Sequence, residues 1–211
     1  VEKLAQSLAN TMNLLNNINQ TMNALIQTVQ QSVVRVGNGR SGFGAGTIWH
    51  SDGLILTNAH VVQRRRDPEV TLADGRSFPA QVLATDETLD LAALYIAAHN
   101  LPTIELGHSS QLKTGDWVVA VGHPWGVINA ANWGTVIAVG QPLEQNGYRG
   151  ELVQLGIQLR PGHSGGPLVD GDGRLVGINT MISGPKVGLA IPVDIAKQFL
   201  QEKMGSGGTA V

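Results

Sequence analysis

The chain of 211 residues has no cysteine, which excludes disulfides, thiolate metal sites and a cysteine nucleophile together. That absence leaves the compartment open, because a disulfide-free fold works in oxidising or reducing surroundings. Charge is sparse. Asp, Glu, Lys and Arg make up 14% of the residues, against the usual quarter, and the net charge is −2. No general attraction to nucleic acid or anionic lipid follows, so a nucleic-acid partner is not expected. Aromatics are 4%. The longest apolar run, LAALYIAA at 91–98, is far short of the ~20 residues of a membrane span, so no integral membrane segment is expected. The chain starts at Val1 with neither an initiator Met nor a basic-then-apolar leader, and any targeting or anchoring segment is expected to have been removed ahead of it. Glycine is plentiful, 27 residues, and 42% of the chain is hydrophobic, as in a turn-rich globular protein with a real core.

Three zones are expected: a helical segment at 1–32, a β-rich body at 33–204 and a flexible tail or linker start at 205–211. In the first, Leu4, Leu8, Leu15, Ile18, Met22, Leu25 and Val29 alternate steps of three and four, with Thr11 at the one polar position. That is a heptad stripe. A helix lying on its own domain and a helix contacting a second copy both fit it, and only Glu2 and Lys3 are charged. From Ser32 onward, about a dozen short β-rich runs, LILTNAHVV and RLVGINTMI among them, alternate with turn signals such as SDG, ADG and DGDG. Closed barrels or sandwiches manage so many short strands best, since closure removes exposed edges. PVDIAKQFLQEKM then reads as a helix opened by Pro192 and Asp194 and closed by Lys203 before Gly205.

The sharpest local signal is GHSGG at 162–166. A Ser among glycines sits where the backbone turns tightly, leaving its hydroxyl and neighbouring N–H groups exposed. The nucleophile elbow of α/β-hydrolases has the same spacing but needs a His after the Ser, and all six His here precede Ser164. Alone, such a segment is most often just a turn. A nucleophilic Ser needs a base and an orienting carboxylate. His60 closes LILTNAH and Asp90 precedes LAALYIAA; taken singly they read as a core histidine and a strand cap. Together, His60, Asp90 and Ser164 run in the order of chymotrypsin-type β-barrel enzymes. No metal site and no cofactor are expected, for carboxylates are scattered and no His pair has ligand spacing.

The segments SGFGAGTIWHSDGLILTNAHVV, LADGRSFPAQVLATDETLDLAAL, GDWVVAVGHPWG, RPGHSGGPLVDGDGRLVGINT and VGLAIPVD, in this order, resemble the HtrA (Deg) family of trypsin-like serine proteases from about Ser32 to Lys203. The resemblance implies an all-β fold of two six-stranded chymotrypsin-like barrels, here with an N-terminal amphipathic helix and a C-terminal helix. It further implies a serine endopeptidase without ATP, acting on unfolded or damaged polypeptides in protein quality control. The place of action would be outside the bacterial cytoplasm, in periplasm or cell envelope, or in organelles. By the same resemblance His60, Asp90 and Ser164 form the catalytic triad, the N–H groups of Gly162 and Ser164 the oxyanion hole, and Leu159 and Ile182 an apolar pocket for small aliphatic side chains. Gly165 and Gly166 would leave room for substrate backbone. A trimer is the family's usual assembly, often built on aromatic residues near the N-terminus, yet none occurs here before Phe43.

The chain departs from the family at His163, where Asn is usual, and at Gln154–Ile157 and Arg160. His163 is expected to be a solvated side chain whose backbone alone matters; a titrating or substrate-binding role is the alternative. Arg64, Arg65 and Arg66 read as a solvated loop, and Trp125 and Trp133 as core or loop packing. The family's PDZ module is not in this sequence. Against an active endopeptidase stands a gated or inactive protease-fold chaperone or binding protein; the intact triad favours the enzyme.

Overall fold

The structure is a computed structural model that describes residues 2–37, 43–63, 67–145, 148–183 and 186–205, with the backbone alone at 2, 4, 5, 141–145, 149 and 181–183. Six strands form a first closed barrel: β1 (Val33–Gly37), β2 (Phe43–His50), β3 (Leu54–Thr57), β4 (Glu69–Thr71), β5 (Ser77–Asp86) and β6 (Leu91–Ile96). Its order is β1-β2-β3-β6-β5-β4, closed by antiparallel pairing of Arg35 with Thr71 and Val36 with Val70. The second barrel comprises β7 (Trp117–Gly122), β8 (Ala130–Gln145), β9 (Tyr148–Leu155), β10 (Pro167–Val169), β11 (Leu175–Ser183) and β12 (Val187–Pro192). Its order is β10-β11-β12-β9-β8-β7, and β7 with β10 closes it through Ala120–Leu168. Closure pairs the edges that twelve short strands would otherwise present.

Each barrel has its own apolar filling. Val34, Val36, Ile48, Ile55, Leu94 and Ile96 fill the first, and Val118, Ala120, Val136, Val153, Leu155 and Leu168 the second. A third cluster joins them, with Val33, Ala45, Leu56 and Leu91 from one barrel and Val119, Val121 and Ile178 from the other. Strand β2 is therefore buried on both faces, and its side chains do not alternate between core and water as a one-sided strand's would.

Helix α1 (Glu2–Gln31) carries the heptad stripe and divides it between two fates. Met22, Leu25, Ile26 and Val29 pack on the body, and Gln30 Nε2 donates to Asn129 O at 2.6 Å. Leu8, Met12, Leu14, Leu15 and Ile18 face solvent. The run LILTNAHVV is not one strand: after Thr57 the chain breaks at Asn58 into one helical turn, α2 (Ala59–Val62), that carries His60. At the far end, α3 (Val193–Met204) follows Pro192 and buries Val193, Ala196, Phe199 and Leu200. Arg64–Arg66 and positions 206–211 lie outside the described residues.

Candidate active site

The first barrel supplies His60 and Asp90. Asp90 sits just before β6 with a left-handed backbone (φ 52°), and Asn58 Nδ2 donates to its carbonyl at 2.9 Å. Its carboxylate is almost buried. Oδ1 accepts the His60 backbone N–H at 3.0 Å, and His60 Nδ1 lies 2.9 Å from Oδ1 and 2.8 Å from Oδ2. Thr180, from the second barrel, donates its Oγ1 hydroxyl to Oδ2 at 2.6 Å. An ionised carboxylate only accepts, so this network assigns the imidazole proton to Nδ1 and leaves Nε2 with a free lone pair. The ring is half exposed.

Ser164 stands on the turn that leads into β10. His163 N–H donates to Arg160 O at 2.9 Å, with Pro161 and Gly162 between them and Gly162 at φ 105°, as a type II turn requires. A side chain at Gly162 would overlap the His123 carbonyl. The turn is seated on the end of β7: His123 N–H donates to Gly162 O at 2.8 Å and Trp125 N–H to Pro161 O at 3.1 Å. Ala45 N–H donates to Ser164 O at 2.8 Å, and Thr47 Oγ1 to Gly165 O at 3.2 Å, so the turn is also pinned to the first barrel. The backbone N–H groups of Gly162 and Ser164 have no acceptor among the described residues. Two adjacent unsatisfied N–H groups beside a hydroxyl are what an oxyanion hole needs.

The structure thus brings His60 and Asp90 into direct contact and places Ser164 beside the shared partner Thr180. Ser164 Oγ donates to Thr180 O at 2.8 Å, and no hydrogen bond joins it to His60 among the described residues. Turning the hydroxyl about χ1 exchanges that acceptor for another, a change of the size that apo sites undergo on binding. Leu159 is buried against Gly188 of β12, where an added Cβ would come 2.8 Å from Leu159 Cγ. Ile182 pairs with Gly188 in β11, and its side chain lies outside those described.

Several sequence expectations change. Gly165 and Gly166 do not make room for substrate: a Cβ at Gly165 would overlap Ala45 O and Thr57 Oγ1, and one at Gly166 would overlap Val121 O. They let the turn lie against β2 and β7. His163 is not solvated but 1% exposed. Trp125 and Trp133 are not core residues; they are exposed, Trp133 stacked on Trp117 at 4.9 Å and Trp125 lying under the Arg160 guanidinium at 4.5 Å. Thr180 and Asn58 were missed. Thr180 lies in the apolar run RLVGINTMI with no local signal, and only closure of the barrels brings it to Asp90.

Two closed six-stranded antiparallel barrels, with Ser, His and Asp drawn from both, define a chymotrypsin-type domain. Residues 44–178 match the family model of the trypsin-like peptidase domain, and the chain belongs to that family. It is 40% identical over 163 residues to the mitochondrial serine protease HTRA2 of Drosophila willistoni, covering 75% of this chain and 38% of that protein. A Halomonas elongata protein named "Probable periplasmic serine endoprotease DegP-like" is 39% identical over 176 residues, covering 81% of this chain and 37% of its own length. The chain therefore spans about two fifths of these relatives. The solved HtrA-type protease AlgW with a tripeptide superposes with a TM-score of 0.81 at 35% identity, covering 88% of this chain and 64% of that one. Among the described residues, no helix is long and apolar enough to cross a membrane.

Proposed function

We propose that the chain is a serine endopeptidase of the HtrA type that hydrolyses peptide bonds of unfolded or damaged proteins. The observation that carries this reading is the His60–Asp90 pair at 2.8 Å, locked by Thr180, beside Ser164, whose own N–H and that of Gly162 have no acceptor among the described residues. In this mechanism His60 Nε2 takes the proton of Ser164 Oγ as the oxygen attacks the scissile carbonyl. Asp90 holds the tautomer and stabilises the imidazolium, and the N–H groups of Gly162 and Ser164 receive the oxyanion. The imidazolium gives its proton to the leaving amine, and water repeats the sequence on the acyl-enzyme to restore Ser164 and release the acid. Leu159 and Ile182 form the pocket for a small aliphatic side chain, where discrimination is modest because one methylene is worth ~1–3 kcal/mol. The gated reading gains support from Ser164 Oγ resting on Thr180 O, which makes rotation of the hydroxyl part of activation.

The site of action is outside the cytoplasm, in the periplasm or cell envelope, a reading supported by the naming of the Halomonas relative. Assembly into homo-oligomers, a trimer by family likeness, gains a further contact in the exposed stripe of α1. Fluorophosphonate labelling located by peptide mass spectrometry, alongside digestion of an unfolded protein, tests the enzyme. One adduct on Ser164 and cleavage after Val or Ala are expected, both abolished in Ser164→Ala, with kcat lower by about 10⁶. No adduct on folded protein moves the chain to a binding role, and cleavage after Lys or Arg refutes the pocket.

A further inference from the structure

His163 precedes the nucleophile, and its imidazole is folded back under its own turn. Nδ1 lies 3.1 Å from the Arg160 nitrogen and 3.1 Å from the Arg160 carbonyl oxygen. That carbonyl already accepts the His163 N–H at 2.9 Å, whereas the Arg160 N–H has no other acceptor among the described residues. The network therefore assigns Nδ1 as the acceptor and the proton to Nε2, which is buried with no partner among the described residues. The two residues are joined reciprocally, Arg160 N–H to the ring and His163 N–H to the Arg160 carbonyl, and between them lies Gly162, whose N–H has no acceptor among the described residues.

We propose that neutral His163 is a positioning residue for the oxyanion hole, its Nδ1 accepting the Arg160 N–H and so fixing the turn that aims the Gly162 and Ser164 N–H groups. This rests on the endopeptidase reading of the site. The turn has no slack on its other side, since a Cβ on Gly122 would stand 2.7 Å from His163 Cα. Its surroundings disfavour a cation. From its own turn it faces the Arg160 guanidinium, and from the end of β7 it faces His123, itself buried and facing Arg35 of β1. No carboxylate is among these groups. Burial first, then Arg160, hold the His163 pKa below its ordinary value, against the pull of the Arg160 carbonyl.

Protonation has a definite consequence. Nδ1 becomes a donor, for which the Arg160 carbonyl 3.1 Å away keeps a second lone pair, and the Arg160 N–H loses the one acceptor it has among the described residues. The reciprocal pair of bonds across the turn is broken, so the turn loosens and the Gly162 and Ser164 N–H groups lose their aim. Acid thus acts on the His163 prop.

The test uses the full chain, His163→Asn, whose Oδ1 stands near the place of Nδ1 but does not titrate, and His163→Leu, which fills space without an acceptor. Cleavage of a peptide with Val before the scissile bond is followed from pH 8 to 5. Amide resonances of Gly162 and Ser164 are recorded by NMR over the same range. His163→Leu is expected to lose about 10²-fold in kcat, comparable to removal of one oxyanion donor, with KM within about threefold. His163→Asn is expected to recover kcat to within about threefold of the parent chain. The parent's acid limb is expected to be steeper than that of His163→Asn by about one proton; every other titrating group, His123 included, is present in both and cancels. Full kcat in folded His163→Leu, or identical acid limbs in parent and His163→Asn, overturns the proposal. If His163→Leu does not fold, the acid-limb comparison decides. If the parent neither labels nor cleaves, the endopeptidase reading fails separately, and the amides still decide: a pH-dependent shift of Gly162 that vanishes in His163→Asn supports the positioning role, and an unchanged shift overturns it.

Discussion

Asp90 receives three donors, two from His60 and one from Thr180, and the third is supplied by the opposite barrel. A charge-assisted hydrogen bond to a buried carboxylate is worth about 1.5–3 kcal/mol. Thr180→Val keeps the shape and the main-chain carbonyl that holds Ser164 Oγ, but removes this donor. We expect kcat/KM for peptide cleavage to fall about 10–100-fold, carried by kcat, with the fold retained by circular dichroism. An unchanged kcat would mean that His60 alone orders the carboxylate. His60, Asp90 and Ser164 were legible as candidates because three residue types in one chain order match a known arrangement. Thr180 was not, because its partner lies ninety residues away and its flanks read only as strand. His163 was misread for a related reason: a single polar residue between Gly162 and Ser164 carries no periodicity, so burial there depends on how the turn closes against β7.

Elements follow the same division. All twelve strands fall on β-rich runs bounded by turn residues, since alternation and glycine punctuation are local properties. The break of LILTNAHVV into β3 and α2 was hidden, because one helical turn inside an apolar run leaves the pattern intact. Helix α3 shows how such an element is fastened. Burial pushes the Asp194 pKa up, but hydrogen bonds from the Ser110 N–H, Lys197 Nζ and the Ser109 hydroxyl outweigh it and hold the carboxyl at about 2, against 3.8 ordinarily. A carboxyl with a lower pKa folded than unfolded stabilises fully above the unfolded value, and that contribution is lost as pH falls through about 2. Asp194 is partly exposed, which reduces its worth to about 1–2 kcal/mol. Asp194→Asn should lower the melting temperature at pH 7 by about 2–8 °C, with the two chains converging as pH approaches about 2. A gap that persists undiminished at low pH would assign the effect to packing.

At the scale of the whole molecule, the site exists only where the barrels meet, and α1 lies outside that economy. Its last turns are bound to the body, yet the stripe continues for several turns as Leu8, Met12, Leu14, Leu15 and Ile18 with nothing over it. In heptad terms Leu8, Leu15 and Ile18 occupy core positions, and Met12 and Leu14 widen the apolar face beside them. An isolated projecting helix of this length is marginal in water, so a partner would stabilise it as well as cover it. With Glu2 and Lys3 its only charges, α1 offers little to a charged partner or an anionic lipid surface, whereas the same stripe on a second copy matches it. We expect light scattering to give a mass above the monomer's 22.2 kDa. Leu8→Asn, Leu15→Asn and Ile18→Asn combined should lower that mass and reduce the helical signal together, because the exposed turns fray once unpartnered. The cysteine-free background adds a directional check: a single Cys at position 15 should cross-link copies if the helices run parallel and in register. A parent chain that is monomeric with α1 fully helical would remove the copy-to-copy contact and leave this stripe to a different partner.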